Sequence, residues 1–259
     1  MKSPSIIKNI IICTLLLLLM PVLATAQNVS EESGKAYQEG DFNKAVELLE
    51  AEMKAQKEKG LESAGLYYNL GNAYFRDNEV AKALLYYEKA LLINPGDRDI
   101  RHNIEYARTR IEDKIVSVDT FFLQSWFEGI QNMQSSNAWA NLAIVLFLIF
   151  MVSLGFFFFT KHIKVKKAVF YVGIIAFAFL IFANIFSVRQ KNKLTNRDTA
   201  IIMAGSVSVK NSPDNSSKEL FIIHSGTKVK INKEDGKWME IEIENGNVGW
   251  MTRDQLEII

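Results

Sequence analysis

The stretch from Ala64 to Asp97 constrains the fold more than any other part of this chain. Its spacing of small and bulky residues predicts two antiparallel helices, because Gly71 and Ala83 allow two helix axes to approach closely. Proline has no N–H with which to continue a helix, so Pro95 is expected to end the second one. The bulky residues expected in the seam are Tyr67, Leu70, Tyr74 and Tyr87. The pattern indicates a scaffold rather than an enzyme.

The order of these residues resembles the tetratricopeptide repeat, a helical hairpin of about 34 residues that stacks on its neighbours. The matching residues are Tyr67, Leu70, Gly71, Tyr74, Ala83, Tyr87, Ala90 and Pro95. An unrelated helical hairpin is the alternative. One repeat cannot bury its own faces, so we expect helical neighbours on both sides.

Weaker matches flank this unit and predict an α-helical repeat array over residues 27–118. Upstream, the sequence AYQEGDFNKA predicts a first unit whose second helix continues to Met53. It departs from the repeat pattern at Ser33 and Glu52, and extra residues lengthen its final turn near Lys59 and Gly60. A downstream capping helix is predicted by apolar residues at helical spacing, which are Ile100, Ile104, Ala107 and Ile111. So short an array holds only a short segment of a partner.

The resemblance also implies a peptide groove, because in this family the inner face of the first helix of each repeat binds the partner. The positions that match are Tyr68, Asn72, Phe75 and Arg76. The alternative is that Tyr68 and Phe75 simply pack against the neighbouring repeat, since aromatic residues serve both purposes.

Residues 1–26 have the pattern of a secretory signal peptide. Lys2 and Lys8 accompany an apolar run, and small residues follow at 24–26. An uncleaved anchor helix is the alternative. Cys13 lies inside the apolar run, so a cleaved chain would contain no cysteine, which excludes disulfides and thiol chemistry from it.

Two apolar runs, 138–159 and 168–188, predict a transmembrane hairpin. The loop at 160–167 between them is rich in lysine, which favours the cytoplasm, so both flanking domains are expected on the outer side of a bacterial inner membrane, in the periplasm. The basic residues in the predicted linker 189–198 oppose this orientation: Arg189, Lys191, Lys193 and Arg197.

The segment 119–137 before the first span carries an aromatic stripe. Phe122, Trp126, Ile130 and Met133 recur at helical spacing, with Phe121 and Phe127 beside them. This predicts an amphipathic helix at the membrane surface, because aromatic rings favour the headgroup region. Packing of the stripe on the repeats is the alternative.

Residues 199–259 alternate in short segments separated by turns, which predicts a half-open all-β barrel of five or six strands. The order of its landmarks resembles the bacterial SH3 domain family. That resemblance implies Trp238, Gly249 and Trp250 as signature positions, with turns at Gly226 and Gly246. Trp238 is expected in the core, whereas Trp250 is either a core residue or a ligand platform.

We expect no catalytic, metal or cofactor site. The histidines, His102, His162 and His224, are scattered without a second ligand at metal spacing. Phosphate-binding loops and nucleophile motifs are missing from the sequence. The formal net charge is +1, and the basic residues concentrate around the spans, so nucleic acid is not an expected partner.

The domain order resembles the BatE proteins of the aerotolerance (Bat) operon. The resemblance implies an envelope scaffold in a stress-related membrane complex. Its partners would be membrane proteins with von Willebrand factor A domains and a MoxR-type ATPase. One alternative is a tether or sensor whose SH3-like module binds peptidoglycan. Another is a signal-transducing membrane protein that acts through the lysine-rich loop.

Overall fold

A computed structural model describes residues 31–115 and 121–259 of the protein. The predicted signal peptide lies outside the described residues. The chain divides into two units, and each is considered by itself. One unit contains the repeats and the β-strands, over residues 31–139 and 185–259 except for 116–120. The other is an apolar helical hairpin at Ala140–Asn184.

The amino-terminal region is a series of antiparallel helices. Their bounds are α1 Glu31–Glu39, α2 Phe42–Glu58, α3 Ala64–Arg76, α4 Val80–Ile93 and α5 Arg98–Arg108. The helix starts have local causes, because the Asp41, Ser63 and Asp97 side chains accept hydrogen bonds from backbone N–H groups of the first turns of α2, α3 and α5. The helices follow one another as two hairpins and a last helix, as a short repeat array requires.

The tightest helix contact joins α3 and α4 at Gly71. A Cβ atom at this position would lie 2.4 Å from the Tyr87 ring, so a larger residue would force the helices apart. Tyr87 is 2% exposed, and Leu70 and Ala83 are fully buried beside it. The Tyr74 and Tyr86 rings stack with their centroids 5.4 Å apart. These residues form the centre of the repeat core.

Helix α6, Phe122–Gln131, carries the aromatic stripe. Its carboxyl end is fixed to the repeats, because Arg101 donates a hydrogen bond to the carbonyl oxygen of Asn132 over 2.9 Å. The stripe itself is exposed: Phe122 is 69% exposed and Trp126 is 60% exposed. The described structure therefore does not pack these rings on the repeats.

Helices α7, Ser136–Phe159, and α8, Ile163–Asn196, are long and apolar enough to cross a membrane. Their ring pairs include Phe150 and Phe177, with centroids 5.2 Å apart. Helix α8 extends beyond the predicted span at both ends, which reduces the connection to 160–162 and the linker to Arg197 and Asp198. Lysines and arginines are good helix formers, so the basic flanks continue the helix instead of ending it.

The carboxyl-terminal strands form one antiparallel sheet, and their order is β3-β2-β6-β5-β4-β1-β7. The bounds are β1 Thr199–Ile202, β2 Ser206–Lys210, β3 Glu219–His224, β4 Lys228–Asp235, β5 Trp238–Ile243, β6 Val248–Thr252 and β7 Leu256–Ile258, with a 3₁₀ turn at Arg253–Gln255. The sheet has seven strands instead of the expected five or six, because the closing segment β7 also pairs with β1. The sheet is open, with β3 and β7 at its two ends.

The sheet packs on the repeats through a residue of β1 and the residue that follows β7. Ile201 and Ile259 are buried, and both belong to the hydrophobic core of the repeats rather than to that of the sheet. At the turn before β4, Gly226 has a φ of +91°, and a Cβ there would lie 2.5 Å from Cγ2 of Ile111. The α4 side of the repeats is therefore covered by the chain's own sheet.

Candidate functional site

A groove of about 270 Å³ lies between α1 and α3, and no residue of α4 or of the sheet is among its lining residues. Its lining residues are Ser33, Gly34, Tyr37, Gln38, Leu49, Asn69 and Asn72. No charged side chain lines it. A Cβ built on Gly34 would meet no atom within 4 Å, so this part of the wall is open. We refer to these residues as the repeat groove.

The predicted groove residues are distributed among several contacts. Asn72 lines the repeat groove. Tyr68 and Phe75 instead contact α5, since the Tyr68 hydroxyl accepts a hydrogen bond from Asn103 and the Phe75 ring lies 5.4 Å from that of Tyr106. These two positions therefore have the packing partners that the alternative interpretation expected.

Arg76 lies one helical turn after Asn72, on the face of α3 that is directed towards α1. Its guanidinium carbon is 4.6 Å from the centre of the Phe42 ring and 5.9 Å from that of Tyr37. Such cation–π contacts stabilise a side chain in place. Because Arg76 is also exposed, it lies at the edge of the array, where a partner could still reach it.

Sequence reasoning assigned the groove to α3 alone and missed the wall contributed by α1. The sequence pattern assigns Tyr37 to the first repeat and gives no role to Gln38 or Asn69. A usable signal existed, because Asn69 and Asn72 are three residues apart and so share one face of α3. The facing wall depends on the angle between two repeats, which no local pattern contains.

The groove presents neutral hydrogen-bonding groups. The Asn72 Oδ1 atom already accepts bonds from the Tyr87 hydroxyl at 2.8 Å and from Asn103 at 2.9 Å. Its orientation is thereby fixed, and its Nδ2 group is left as the donor for a ligand. Asparagine and glutamine amides can both donate and accept, which matches the N–H and C=O groups of an extended peptide backbone.

A cluster of paired charges lies on the covered side of the repeats. Glu88 of α4 is 5% exposed, and its oxygens lie 2.6 Å from Lys228 of β4 and 3.4 Å from Arg108 of α5. Arg108 also lies 3.0 Å from Glu244. A buried carboxylate requires such partners, because an unpaired charge is costly to remove from water. We call this cluster, together with the contacts of Asp113, the joint.

Asp113, which follows α5, attaches the turn between β3 and β4 to the repeats. Its carboxylate accepts a 2.7 Å bond from the backbone N–H of His224 and a 2.5 Å bond from the Thr227 hydroxyl, and it lies 2.8 Å from His224 Nδ1. Burial by itself raises the pKa of Asp113, but these bonds outweigh it and lower the pKa. The hydrogen bond with Asp113 raises the pKa of His224.

The predicted signature residues of the β module lie on β5 and β6. Trp238 is buried at 9% exposure, and a Cβ at Gly249 would lie 2.5 Å from Val209. Trp250 is half-buried and pairs with Lys210 of β2. Gly226 and Gly246 both have positive φ angles, as expected for turn glycines.

Within residues 31–115 and 121–259, no three His, Cys, Asp or Glu side chains are arranged to hold a metal ion. The ring of His224 is instead flanked by Asp113 and Glu112, the latter at 3.4 Å from Nε2.

Comparison with known proteins gives one family. A search among curated proteins found no match. The family model of the tetratricopeptide repeat matches residues 64–97, which are the residues of α3, α4 and the turn that follows. Residues 64–97 are thus a tetratricopeptide repeat, and repeats of this family suggest a role in protein–protein interaction.

Proposed function

We propose that this protein is a membrane-anchored interaction scaffold whose repeats hold a short, extended segment of a partner protein. The observation that carries the proposal is the repeat groove, which is open and uncharged, while the α4 side of the repeats is covered by the sheet. A groove with amide groups on one wall suits a peptide backbone. Its small volume suits a short segment.

The membrane part of the proposal rests on the apolar helices. Large apolar side chains along α7 and α8 are exposed, including Phe147, Ile174 and Phe179, and a lipid environment would cover them. The exposed rings of α6 suit the headgroup region. With the lysine-rich connection in the cytoplasm, the repeats and the sheet lie in the periplasm, at a bacterial inner membrane.

The proposed complex follows from the resemblance of the domain order to the BatE proteins. We propose that the partners include membrane proteins with von Willebrand factor A domains, in an aerotolerance or stress-related assembly that also contains a MoxR-type ATPase. A periplasmic groove would take a segment of such a membrane protein, and the ATPase would be joined indirectly. The scaffold itself has no catalytic role in this proposal.

Co-purification in mild detergent tests the proposal with a variant that fills the groove. Gly34→Trp places a ring where the structure leaves open space, and Gly34→Ala is the matched control because alanine leaves the groove open and favours the helix. We expect proteins with von Willebrand factor A domains to be enriched with the wild type and with Gly34→Ala. Gly34→Trp is expected to lose them.

The opposite result is equally informative. If Gly34→Trp retains all the partners of the wild type, the groove does not hold them. If the wild type enriches no membrane protein at all, the scaffold role in this complex is wrong.

A second candidate function has its own observation. On the sheet, Leu220, Ile222 and Val248 are exposed, at 45%, 55% and 42%, near the half-buried Trp250. An exposed apolar surface around tryptophan suits a tether that binds peptidoglycan. Sedimentation of the full chain with purified cell wall, compared for wild type and Trp250→Ala, distinguishes the two functions: a tether loses wall binding in the variant, whereas a groove scaffold shows no wall binding in either protein.

A further inference from the structure

A second cavity, of about 370 Å³, lies in the unit of repeats and sheet, beside α4 and the carboxyl end of α8. Leu91, Leu92 and Pro95 supply apolar lining, and Arg101 and Lys193 supply positive charge. The repeat groove is lined by a different set of residues, on the other side of the array. The cavity is therefore a separate candidate site.

Arg101 and Lys193 converge on one residue of the lining. Arg101 donates hydrogen bonds to the carbonyl oxygens of Pro95 and Asn132, and Lys193 Nζ lies 3.3 Å from Asn132 Oδ1. Gln190 donates to the same Oδ1 atom over 3.1 Å, which fixes its position. The two cations thus come from different helices and are held together through Asn132.

These cations are satisfied by neutral oxygens rather than by carboxylates. In the part of the chain that the structure describes, neither Arg101 nor Lys193 forms an ion pair. Lys228 also lines the cavity, but it is paired with Glu88. Two cations that are held on one residue, and whose hydrogen bonds are made to neutral oxygens, leave a place for the oxygens of a phosphate group.

The cavity also carries negative charge. The carboxylates of Glu88 and Asp198 belong to the lining, and Glu88 is paired with Lys228. Asp198 is exposed. Within the described residues it lies beyond ion-pair distance of both cations, although its charge acts on Lys193. A simple anion would be repelled by this carboxylate, whereas a ligand with a positive group beside its phosphate would be attracted to both ends of the site.

We infer that this cavity binds a phosphate ester that carries a primary ammonium group, the chemistry of a phosphoethanolamine headgroup. Arg101 and Lys193 bind the phosphate, Asp198 binds the ammonium group, and the surface of Leu91 and Leu92 receives the adjoining apolar part. A lipid as the source of this headgroup rests on the proposed membrane anchoring, whereas a soluble source does not.

The inference gives a role to basic residues that the orientation of the spans leaves unexplained. Lys193 follows the second predicted span, where the positive-inside tendency disfavours a cation on the outer side. Arg197, in the same segment, is paired with Glu62 of the repeats, and this bond lowers the pKa of Glu62. Both cations thus have specific partners, so their positions need not oppose the predicted orientation.

Native mass spectrometry of the full chain in a neutral detergent tests the inference. The probes are dihexanoyl phosphatidylethanolamine, dihexanoyl phosphatidylglycerol, soluble O-phosphoethanolamine and inorganic phosphate. We expect the wild type to bind the ethanolamine probes more tightly than the other two. Binding of the lipid probe alone identifies a lipid source, and equal binding of O-phosphoethanolamine identifies the headgroup as sufficient.

Variants test separately the residues proposed to bind the phosphate and the residue proposed to bind the ammonium group. The double variant Arg101→Gln with Lys193→Gln is expected to weaken the binding of every phosphate probe about tenfold or more, because charge-assisted hydrogen bonds to the phosphate are lost. Asp198→Asn is expected to abolish the preference for the ethanolamine probes and to strengthen the binding of inorganic phosphate. Arg110→Gln with Lys191→Gln, which removes two cations outside the cavity, is the matched control and should bind as the wild type does.

The inference fails if the cavity double variant binds all probes as the wild type does, or if Asp198→Asn keeps the ethanolamine preference. If Arg101→Gln fails to fold, Arg101→Lys retains the charge and should retain binding, and Asp198→Asn still tests the site. Loss of partner proteins in the Gly34→Trp experiment concerns the repeat groove, so failure of the two proposals can be told apart.

Discussion

The two sides of the central repeat, α3 with α4, differ in their chemistry. The α4 side carries the charges of the joint, where buried Glu88 is held between Lys228 and Arg108. The α3 side forms the neutral repeat groove, and the amides of Asn69 and Asn72 lie along it. Paired charges therefore mark the contact that the chain makes with itself, and neutral amides mark the groove that we propose for a partner.

The largest effect is expected where the two sides join. Gly71→Val places a side chain against the Tyr87 ring, which lies 2.4 Å from the site of a Cβ atom, and should cost about 3 kcal/mol by overpacking. Thermal unfolding in detergent should show a melting temperature lower by about 6–12 °C. Gly65→Val in the same helix is the control, because only the Ser63 hydroxyl lies near its Cβ, at 3.8 Å. Equal effects at both positions would contradict the tight contact.

The second largest loss of stability is expected on the side of the repeats that the sheet covers. Glu88→Gln leaves Lys228 and Arg108 without their shared carboxylate. Both cations are partly exposed, at 31% and 37%, so we expect a loss of about 2 kcal/mol, below the cost of breaking a fully buried pair. The melting temperature should fall by about 4–8 °C.

A matched surface variant sharpens this test. Glu79 pairs with Lys82 over 3.6 Å, and both side chains are well exposed. Glu79→Gln should change stability by less than about 1 kcal/mol. If it destabilises the protein as much as Glu88→Gln does, charge on the covered side has no special role.

A third effect concerns pH, through His224 and Asp113. Because the pKa of His224 is raised in the folded protein, its contribution to stability is fully present when the pH is below the ordinary value of 6.5. This contribution is lost as the pH rises through the folded-state pKa. Because the pKa of Asp113 is lowered in the folded protein, its contribution to stability is fully present when the pH is above 3.8. This contribution is lost as the pH falls through the folded-state pKa. The pair therefore stabilises the joint most fully between these values.

Melting temperatures measured from pH 5.5 to 8.5 should show this dependence as a decline at the alkaline end that is absent from His224→Gln. His102→Gln is the control, since His102 lies on α5 outside the joint. If the melting temperature declines equally in wild type and His224→Gln, the pair of His224 and Asp113 does not cause the pH dependence.

The smallest effect on stability is expected in the groove. Gln38→Ala with Asn69→Ala removes two amides of its lining, and substitutions of this kind usually change stability by less than about 0.5 kcal/mol each. Partner capture in the co-purification should nevertheless fall. If stability falls sharply instead, the amides support the fold rather than a ligand.

Much of the repeat could be predicted because its signals are local. Gly71, Tyr87 and Pro95 follow one another at the spacing that a helical hairpin requires, and the family model matches the same residues. The antiparallel sheet was equally accessible: Met239, Ile241 and Ile243 are buried in alternation, as their period of two predicts.

The joint and the groove wall could not be predicted, for a common reason. Glu88 and Lys228 are 140 residues apart in the chain, and neither carries a local signal for the other. The facing of Gln38 towards Asn69 depends on how two repeats stack. The extension of α8 was missed because charged residues were taken as loop, although lysine and arginine are compatible with a helix.

The most direct test of the central claim is site-specific photo-crosslinking in cells at Gln38, within the repeat groove, and at Glu47, on the exposed surface of α2. We predict that Gln38 yields a discrete crosslinked product with a partner protein, that Glu47 does not, and that Gly34→Trp removes the product. A product of equal yield from both positions, or one that survives Gly34→Trp, would contradict the assignment of the groove as the binding surface.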